Sequence, residues 1–275
     1  IGSLTTAQIA VLSSDQADGL TTAQLAGLTS TQMNALTSDT LASLSTEQIA
    51  GLNTRVIAVL TSAKVAALST DQVAAFSTLQ LSAISSAAIK GLETADVATF
   101  SSTELASLNS RSLAALSTDN VAVLTSDQLT ALSGIQIGAL TTAQLSALSS
   151  DQFLAIDTAD LAALNPAQLL AMGLTGVESM SSDQIAALSS AQIRALSTTQ
   201  IQALNTEQLA AISTAGVQAM TSAQTQALTT EHVAALGTEQ VAALNTANIR
   251  FLSAGHIEAL ATGQIAALTT AQATV

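Results

Sequence analysis

Large apolar residues recur at every eighth position from Leu4 to Leu268. Each member of this series is Leu, Ile, Met or Phe, so residues 4–275 divide into 34 octads without insertion or deletion. We number the positions of an octad from 1, the large apolar residue, to 8. Position 6 is apolar in nearly every octad, and position 8 is usually Ala or Gly. The pattern predicts one continuous repeat array over residues 4–275, with residues 1–3 as the tail of a preceding repeat.

The spacing of the apolar positions argues against a strand and against one long helix. A strand with one buried face needs alternation with a period of two, but positions 3 and 5 are Ser, Thr and Gln. A continuous α-helix turns by about 100° per residue, so an eight-residue repeat would carry its apolar residues around the helix within a few octads. The remaining possibility is a short helix that ends and begins again in every octad.

Polar residues mark the start of each predicted helix. Position 2 is Ser, Thr, Asn, Asp or Gly in all octads except those of Glu93 and Ala261, and these five residues are the preferred helix N-caps. Position 5 is Gln in 20 of the 34 octads, which predicts a capping box, and positions 1 and 6 have the spacing of a hydrophobic staple. The single proline, Pro166, falls at the first helical position, and position 4 holds 11 of the 19 acidic residues, where the helix dipole favours them.

The predicted fold is therefore an all-α solenoid of very short helices, of about two turns each, with one helix per octad. Such a helix is not stable alone in water, so neighbouring octads must stabilise one another. Small residues at position 8, such as Ala35 and Gly51, are expected to let successive helices approach closely.

Composition narrows the range of partners. Hydrophobic residues make up 48% of the chain, but no apolar run reaches the 18 or more residues typical of a membrane span. A net charge of −13 with six basic residues argues against nucleic acid and anionic membranes as partners. The chain lacks cysteine, so thiolate chemistry and disulfides are excluded. Because it begins without Met and its outermost octads are as apolar as the rest, we expect a segment of a longer protein.

Candidate chemistry is sparse, and we predict no catalytic, cofactor-binding or metal site, no cofactor and no enzymatic activity. His232 and His256 both occupy position 5, three octads apart, and would form a metal pair only if three octads made one turn. We interpret them instead as polar substitutions on a solvated face. Three acidic pairs could be considered as Ca²⁺ ligands, but they are too sparse for the six to eight oxygens of such a site, and we interpret them as helix caps: Asp15/Asp18, Glu93/Asp96 and Asp157/Asp160. Arg55 and Arg111 lie in similar octads, seven octads apart, and we interpret them as traces of a duplication.

The octads LTTAQIAV, LSTEQIAG and LTTAQLSA resemble the octapeptide tracts of very large secreted proteins of Gram-negative bacteria, which are often described as adhesins or haem-utilisation proteins. The resemblance extends over all 34 octads. It implies an extracellular or cell-surface location. No haem-binding residue can be transferred to this chain, because no pocket for an axial ligand is recognisable.

Two hypotheses for function follow. The first is a structural segment of an extracellular bacterial fibre, stalk or adhesin, which spans distance, adheres to surfaces or builds a biofilm matrix, and whose partner is itself, through head-to-tail contacts or a longer chain of the same repeat. The alternative is a solenoid surface that binds a peptide or a glycan. The alternative predicts variation concentrated in one solvent-facing column of positions.

Overall fold

The computed structural model describes residues 1–274, and Val275, the last residue of the last octad, lies outside the described residues. Within residues 1–274 every octad contains one short helix and there is no strand, which confirms the predicted all-α fold. The chain divides into two compact units, Ile1–Leu140 and a second that begins at Thr141. The same eight-residue spacing of helices is present in both units.

The helices follow one another at this spacing, and their bounds are as follows. In the first unit they are Thr6–Ala10, Ser14–Asp18, Thr22–Ala26, Ser30–Ala35, Ser38–Ala42, Thr46–Ala50, Thr54–Ile57, Ser62–Ala66, Thr70–Ala74, Thr78–Ala83, the 3-10 helix Ile89–Gly91, Thr94–Thr99, Ser102–Ser107, Ser110–Ala114, Thr118–Ala122, Ser126–Thr130 and Gly134–Ile137. In the second unit they are Thr142–Ser146, Ser150–Leu154, Thr158–Leu161, Pro166–Ala171, Gly173–Ser179, Ser182–Ala186, Ser190–Ala195, Thr198–Ala203, Thr206–Ala211, Thr214–Ala219, Ser222–Ala227, Thr230–Ala235, Thr238–Ala243, Thr246–Ile249, Ala254–Ala259, Thr262–Ala266 and Thr270–Ala273.

Nearly every α-helix begins at position 3, directly after the residue predicted to cap it. Thr5, for example, has an extended backbone (φ −72°, ψ 161°) and caps Thr6–Ala10. The chain becomes extended again at the next position 1, as at Leu36 (φ −60°, ψ 137°). Most helices contain five or six residues, which is about one and a half turns rather than the two turns expected from the octad length.

Three octads make one turn of the solenoid within each unit. In the second unit, helix Ser182–Ala186 packs against Thr206–Ala211, and Ser190–Ala195 packs against Thr214–Ala219. In each pair the second helix begins three octads after the first. Residues at the same position of octads n and n+3 are therefore stacked in adjacent turns, a number that the eight-residue period alone does not determine.

The interior is filled by positions 1 and 6. Ile49 at position 6 is completely buried, and Leu52 at position 1 is 4% exposed. Position 8 is small because turns meet there: a Cβ atom on Gly51 would lie 3.0 Å from the Cβ of Thr22 in the preceding turn. The close approach at position 8 is therefore between helices of adjacent turns, whereas the expectation placed it between successive helices.

Two octads depart from the pattern. In residues 84–91 the helix is the 3-10 segment Ile89–Gly91, and a Cβ on Gly91 would collide with the main-chain oxygen of Ser62 in the preceding turn. In residues 172–179 the predicted cap at Gly173 is wrong, because Gly173 adopts φ +69° and is itself the first residue of its helix. Since Gly176 occupies position 5 there, neither a cap side chain nor a glutamine is present to fix the start of the helix at position 3.

Candidate functional site

The repeating functional element is the pair formed by the cap residue at position 2 and the glutamine at position 5. Thr125 donates its N–H to Gln128 Oε1 at 2.8 Å, and Gln128 donates its N–H to Thr125 Oγ1 at 3.2 Å. This reciprocal pair is the predicted capping box. It satisfies two main-chain donors that the first turn of a helix leaves unpaired.

The glutamine half of the box persists where the cap residue has no suitable side chain. Gly237 donates its N–H to Gln240 Oε1 at 2.8 Å, and Ala261 donates its N–H to Gln264 Oε1 at 2.7 Å. Because the helices after both residues still begin at position 3, the glutamine contributes to fixing the helix start independently of the cap hydroxyl.

The same glutamine also connects adjacent turns through the other end of its amide. Gln48 Nε2 lies 3.1, 2.8 and 2.7 Å from the main-chain oxygens of Ala17, Asp18 and Leu20, respectively. The first two carbonyls belong to the last turn of a helix, where carbonyls lack partners within the helix. One side chain therefore satisfies an amide at the start of its own helix and carbonyls at the end of a helix in the preceding turn.

These contacts recur with constant sequence offsets and form what we call the glutamine ladder. In each case the glutamine Nε2 contacts the position 1 carbonyl 28 residues earlier, as in Gln32, Gln48, Gln72, Gln80, Gln128, Gln136, Gln184, Gln192, Gln208, Gln224, Gln240, Gln264 and Gln272. Gln200 contacts the oxygen of Gly173 instead, 27 residues back, next to the irregular octad 172–179.

Other donors replace the glutamine in several octads. Lys64 Nζ donates to the main-chain oxygens of Met33 and Asn34 at 2.7 and 2.9 Å. Asn53 Nδ2, at position 2, donates to Ala26 O and Leu28 O at 2.8 and 3.1 Å in an octad whose position 5 is valine. In these two octads the connection between turns is kept although its usual side chain is absent.

Both histidines occupy the place of the ladder glutamine. His232 Nδ1 accepts the Thr229 N–H at 3.3 Å, and its Nε2 lies 2.7 Å from Leu204 O; His256 Nδ1 accepts the Ser253 N–H at 3.2 Å. Both are buried, with 5% and 8% of their surface exposed. The interpretation of a solvated face is therefore wrong, because position 5 points at the preceding turn rather than at solvent.

Two of the three acidic pairs act within their own helix starts. Asp96 Oδ2 accepts the Glu93 N–H at 2.9 Å, and Asp157 Oδ1 accepts the Asp160 N–H at 3.1 Å. Asp15 and Asp18 lie inside one short helix that Ser13 caps, so the interpretation of this pair as a helix cap is wrong. Across residues 1–274 no group of three or more His, Cys, Asp or Glu side chains could hold a metal ion.

Four ionisable groups have pKa values shifted by this geometry. Burial lowers the pKa of the Lys64 ammonium group. Burial, followed by the charge of Asp157 and a hydrogen bond with it, raises the pKa of Asp160. Main-chain hydrogen bonds at the helix start, aided by neighbouring hydroxyl groups, lower the pKa of Glu47 and Glu231. The last two shifts match the predicted preference for acids at position 4.

Comparison with known families identifies the repeat. The model of the ALTTAQ repeat matches the chain seven times, over residues 41–78, 89–126, 101–134, 153–190, 185–213, 206–238 and 233–270, which together include more than half of its length. None of the curated proteins searched matches the chain. No helix within residues 1–274 is long and apolar enough to cross a membrane.

Proposed function

This chain belongs to the ALTTAQ repeat family, and we propose that it is a structural repeat segment of an extracellular bacterial fibre, stalk or adhesin. Its work is to span distance at the cell surface, to support adhesion or to contribute to a biofilm matrix. The resemblance of the octads to tracts in very large secreted proteins supports this location. The segment uses no cofactor and catalyses no reaction.

The glutamine ladder is the observation that carries the proposal. Within each unit, the ladder glutamines donate to carbonyl acceptors of the preceding turn, with an offset of 28 residues at Gln32 in the first unit and at Gln272 in the second. Since every turn presents the same two complementary edges, turns can be added without a new type of contact. A protein that spans distance needs this property, whereas a catalytic site needs unlike residues at one place.

Because donors and acceptors lie on opposite edges of a turn, one copy of the chain can bind another copy. Donors on one edge and acceptors on the other give a head-to-tail contact, which does not close on itself and so produces filaments rather than rings. Gln8, Gln16 and Gln24 are exposed in this chain and present the donor edge. A charge of −13 opposes association of copies side by side.

Sedimentation of the purified chain over a range of concentrations tests this assembly. We expect self-association that grows with concentration and is lost when Gln8, Gln16 and Gln24 are all replaced by Glu. A control with Glu at Thr6, Ser14 and Thr22 adds the same charge at position 3 and should still associate. A strictly monomeric chain at high concentration, together with compact particles in electron micrographs of the native source, would contradict the proposal.

A further inference from the structure

Position 4 contains four exceptional residues that form two matched pairs. Across the 34 octads its only basic residues are Arg55 and Arg111, and its only large apolar residues are Leu79 and Ile135. In both pairs the aliphatic residue follows the arginine by three octads, which is one turn. Helix Thr54–Ile57 packs against Thr78–Ala83, and Ser110–Ala114 packs against Gly134–Ile137. Each arginine therefore has an aliphatic residue on the same face, in the next turn.

All four residues oppose the local preferences of the fold. Position 4 is the second residue of each helix, where the dipole favours acids and disfavours a cation. Leu79 is 71% exposed and Ile135 is 80% exposed, although large apolar side chains are otherwise mostly buried in this array. Departures from local consistency without a gain in stability are typical of functional positions. In residues 1–274, no carboxylate forms an ion pair with either guanidinium group.

Each arginine also borders a cleft on the side away from its aliphatic partner. The cleft beside Arg55 has a volume of about 670 Å³ and is lined mainly by residues of octads 28–35 and 52–59. The cleft beside Arg111 has a volume of about 550 Å³ and is lined mainly by the equivalent residues, seven octads later. Hydroxyl and amide groups line both clefts: Thr29, Ser30, Asn53 and Thr54 in the first, and Ser85, Ser86, Asn109 and Ser110 in the second.

The backbone contacts at the two clefts are equivalent as well. Asn53 Nδ2 donates to Ala26 O and Leu28 O, and Asn109 Nδ2 donates to the equivalent carbonyls seven octads later, Ser82 O and Ile84 O, at 3.4 Å each. Position 5, the usual source of the ladder donor, is not glutamine in either octad. The whole arrangement therefore occurs twice in the first unit, as a cleft, an arginine and an exposed aliphatic side chain in consecutive turns.

A third cleft provides an internal comparison. It has a volume of about 270 Å³ and borders Asn245. There, Ala247 stands at position 4 and Ala271 stands one turn later. An asparagine at position 2 can therefore occur without an arginine at position 4 and without an aliphatic residue one turn later. The pairing of arginine and aliphatic residue in the first unit is a feature separate from the asparagine.

We propose that these are two peptide-binding sites, each for an extended acidic segment that carries an aliphatic side chain. The guanidinium group binds the carboxylate through charge-assisted hydrogen bonds, and the aliphatic residue one turn later contacts the apolar side chain. The polar cleft, on the other side of the arginine, receives the main chain that continues beyond the carboxylate. Packed helices lie roughly 8–10 Å apart, and an extended chain advances about 3.3 Å per residue. The carboxylate and the aliphatic side chain are therefore expected about three residues apart. This binding function goes beyond the structural role and does not depend on it.

A titration with a short peptide tests the proposal. The probe is a fluorescent peptide of sequence Asp-Gly-Gly-Leu, blocked at both ends, with fluorescence anisotropy as the readout at low salt. The double variant Arg55→Gln/Arg111→Gln should bind at least about tenfold more weakly, because a charge-assisted bond is lost. Leu79→Ala/Ile135→Ala should bind about fivefold more weakly. The matched controls Arg194→Gln and Leu170→Ala, exposed residues at position 7, should bind as the parent does. The peptide Asn-Gly-Gly-Leu should bind at least about tenfold more weakly than Asp-Gly-Gly-Leu.

Deletion of whole octads separates a paired site from simple charge attraction. Removing residues 68–75 and 116–123 leaves each arginine two octads from its aliphatic partner, which moves the partner to a neighbouring face while the stacking of octads is kept. Binding should be lost in this variant and retained when residues 204–211 are removed instead. Circular dichroism of both deletion variants is the control that shows whether they fold.

Three results would overturn the proposal. One is binding that responds to the arginines but not to the aliphatic residues or the octad deletions, which would indicate attraction of anions alone. Another is an equal loss of binding in the position 7 controls. The third is self-association that disappears in Arg55→Gln/Arg111→Gln without peptide, which would make a second copy of the chain the occupant. Loss of head-to-tail assembly in the Gln8, Gln16 and Gln24 variant would leave peptide binding unchanged, so the two proposals fail separately.

Discussion

The side-chain nitrogen of Gln48 lies 2.7 Å from the main-chain oxygen of Leu20, one turn earlier in the array, while its side-chain oxygen accepts the N–H of Ser45 at 2.7 Å. One buried amide thus joins the start of a helix to the preceding turn. Each glutamine of the ladder has this double role, which explains why these polar side chains are nine-tenths or more buried. A hydrophobic residue could fill the same volume, but it would leave main-chain groups on both sides without partners.

Replacing Gln48 by Glu separates the two roles. The carboxylate can still accept the Ser45 N–H, as Glu104 does from Ser101 at 2.8 Å, but it cannot donate to the carbonyls of the preceding turn. We expect a loss of about 2 kcal/mol in the free energy of unfolding, from buried acceptors left without a donor. Gln16→Glu is the matched control, because Gln16 is exposed and makes the cap bonds. Urea denaturation measures the free energy of unfolding of both variants. An equal loss of stability at the two positions would mean that the ladder adds no stability.

The cap hydroxyl can be tested at adjacent residues. Thr141 Oγ1 accepts the Gln144 N–H at 3.2 Å, whereas Thr142 is the first helical residue and is exposed. Thr141→Ala should lower the free energy of unfolding by about 1 kcal/mol, and Thr142→Ala should have a much smaller effect. Denaturation midpoints of the two variants provide the comparison. Equal effects would show that helix starts are assigned one residue away from their true position.

The local structure was predictable from the sequence because its signals lie within a single octad. The cap at position 2, the glutamine at position 5 and the apolar pair at positions 1 and 6 each have a known preference, so the helix starts could be placed correctly in all octads but those of residues 84–91 and 172–179. The number of octads per turn could not be predicted, because the ladder connects residues in different turns and equivalent octads do not show which two are neighbours. The burial of His232 and the pairing of Arg55 with Leu79 were missed for this reason. The three-octad spacing of the two histidines was the signal that could have indicated the turn.

Lys64→Gln should stabilise the chain at neutral pH. Burial lowers the pKa of Lys64, so the unfolded chain holds this proton more readily than the folded one, and stability must rise with pH between the lowered value and the ordinary value near 10.5. Glutamine supplies a neutral donor for the same carbonyls and an acceptor for the Thr61 N–H. We expect a gain of about 1 kcal/mol at pH 7 that shrinks as the pH is raised toward 10. Lys90→Gln, at an exposed position, should show neither effect.

Asp160 should give stability the opposite dependence on pH. Its pKa is raised by burial and by the charge of Asp157, so the folded chain holds this proton more readily than the unfolded one. Stability should therefore fall as the pH rises from the ordinary value of 3.8 through the raised one. Asp160→Asn should remove this fall and be more stable than the parent at pH 7, while the exposed Asp183→Asn should follow the parent. Denaturation at pH 3.5 and pH 7 distinguishes the outcomes, and a parallel response of all three proteins would exclude Asp160 as the cause.

Removal of whole octads should be tolerated, because the contacts between turns depend on offsets and not on particular partners. Without residues 212–219, every later ladder glutamine still finds a position 1 carbonyl at the usual ladder offset, and the positions that fill the core remain positions 1 and 6. Removal of residues 212–215 alone shifts the register by half an octad, so a later ladder glutamine has a position 5 residue, and not a position 1 residue, at the ladder offset. The buried apolar side chains then no longer stack on one another. We expect the deletion of the whole octad to keep the helical circular dichroism per residue and a cooperative thermal transition. The deletion of half an octad should lose helical signal and unfold at a lower temperature, and equal behaviour of the two deletions would mean that the stacking of turns does not depend on the octad register.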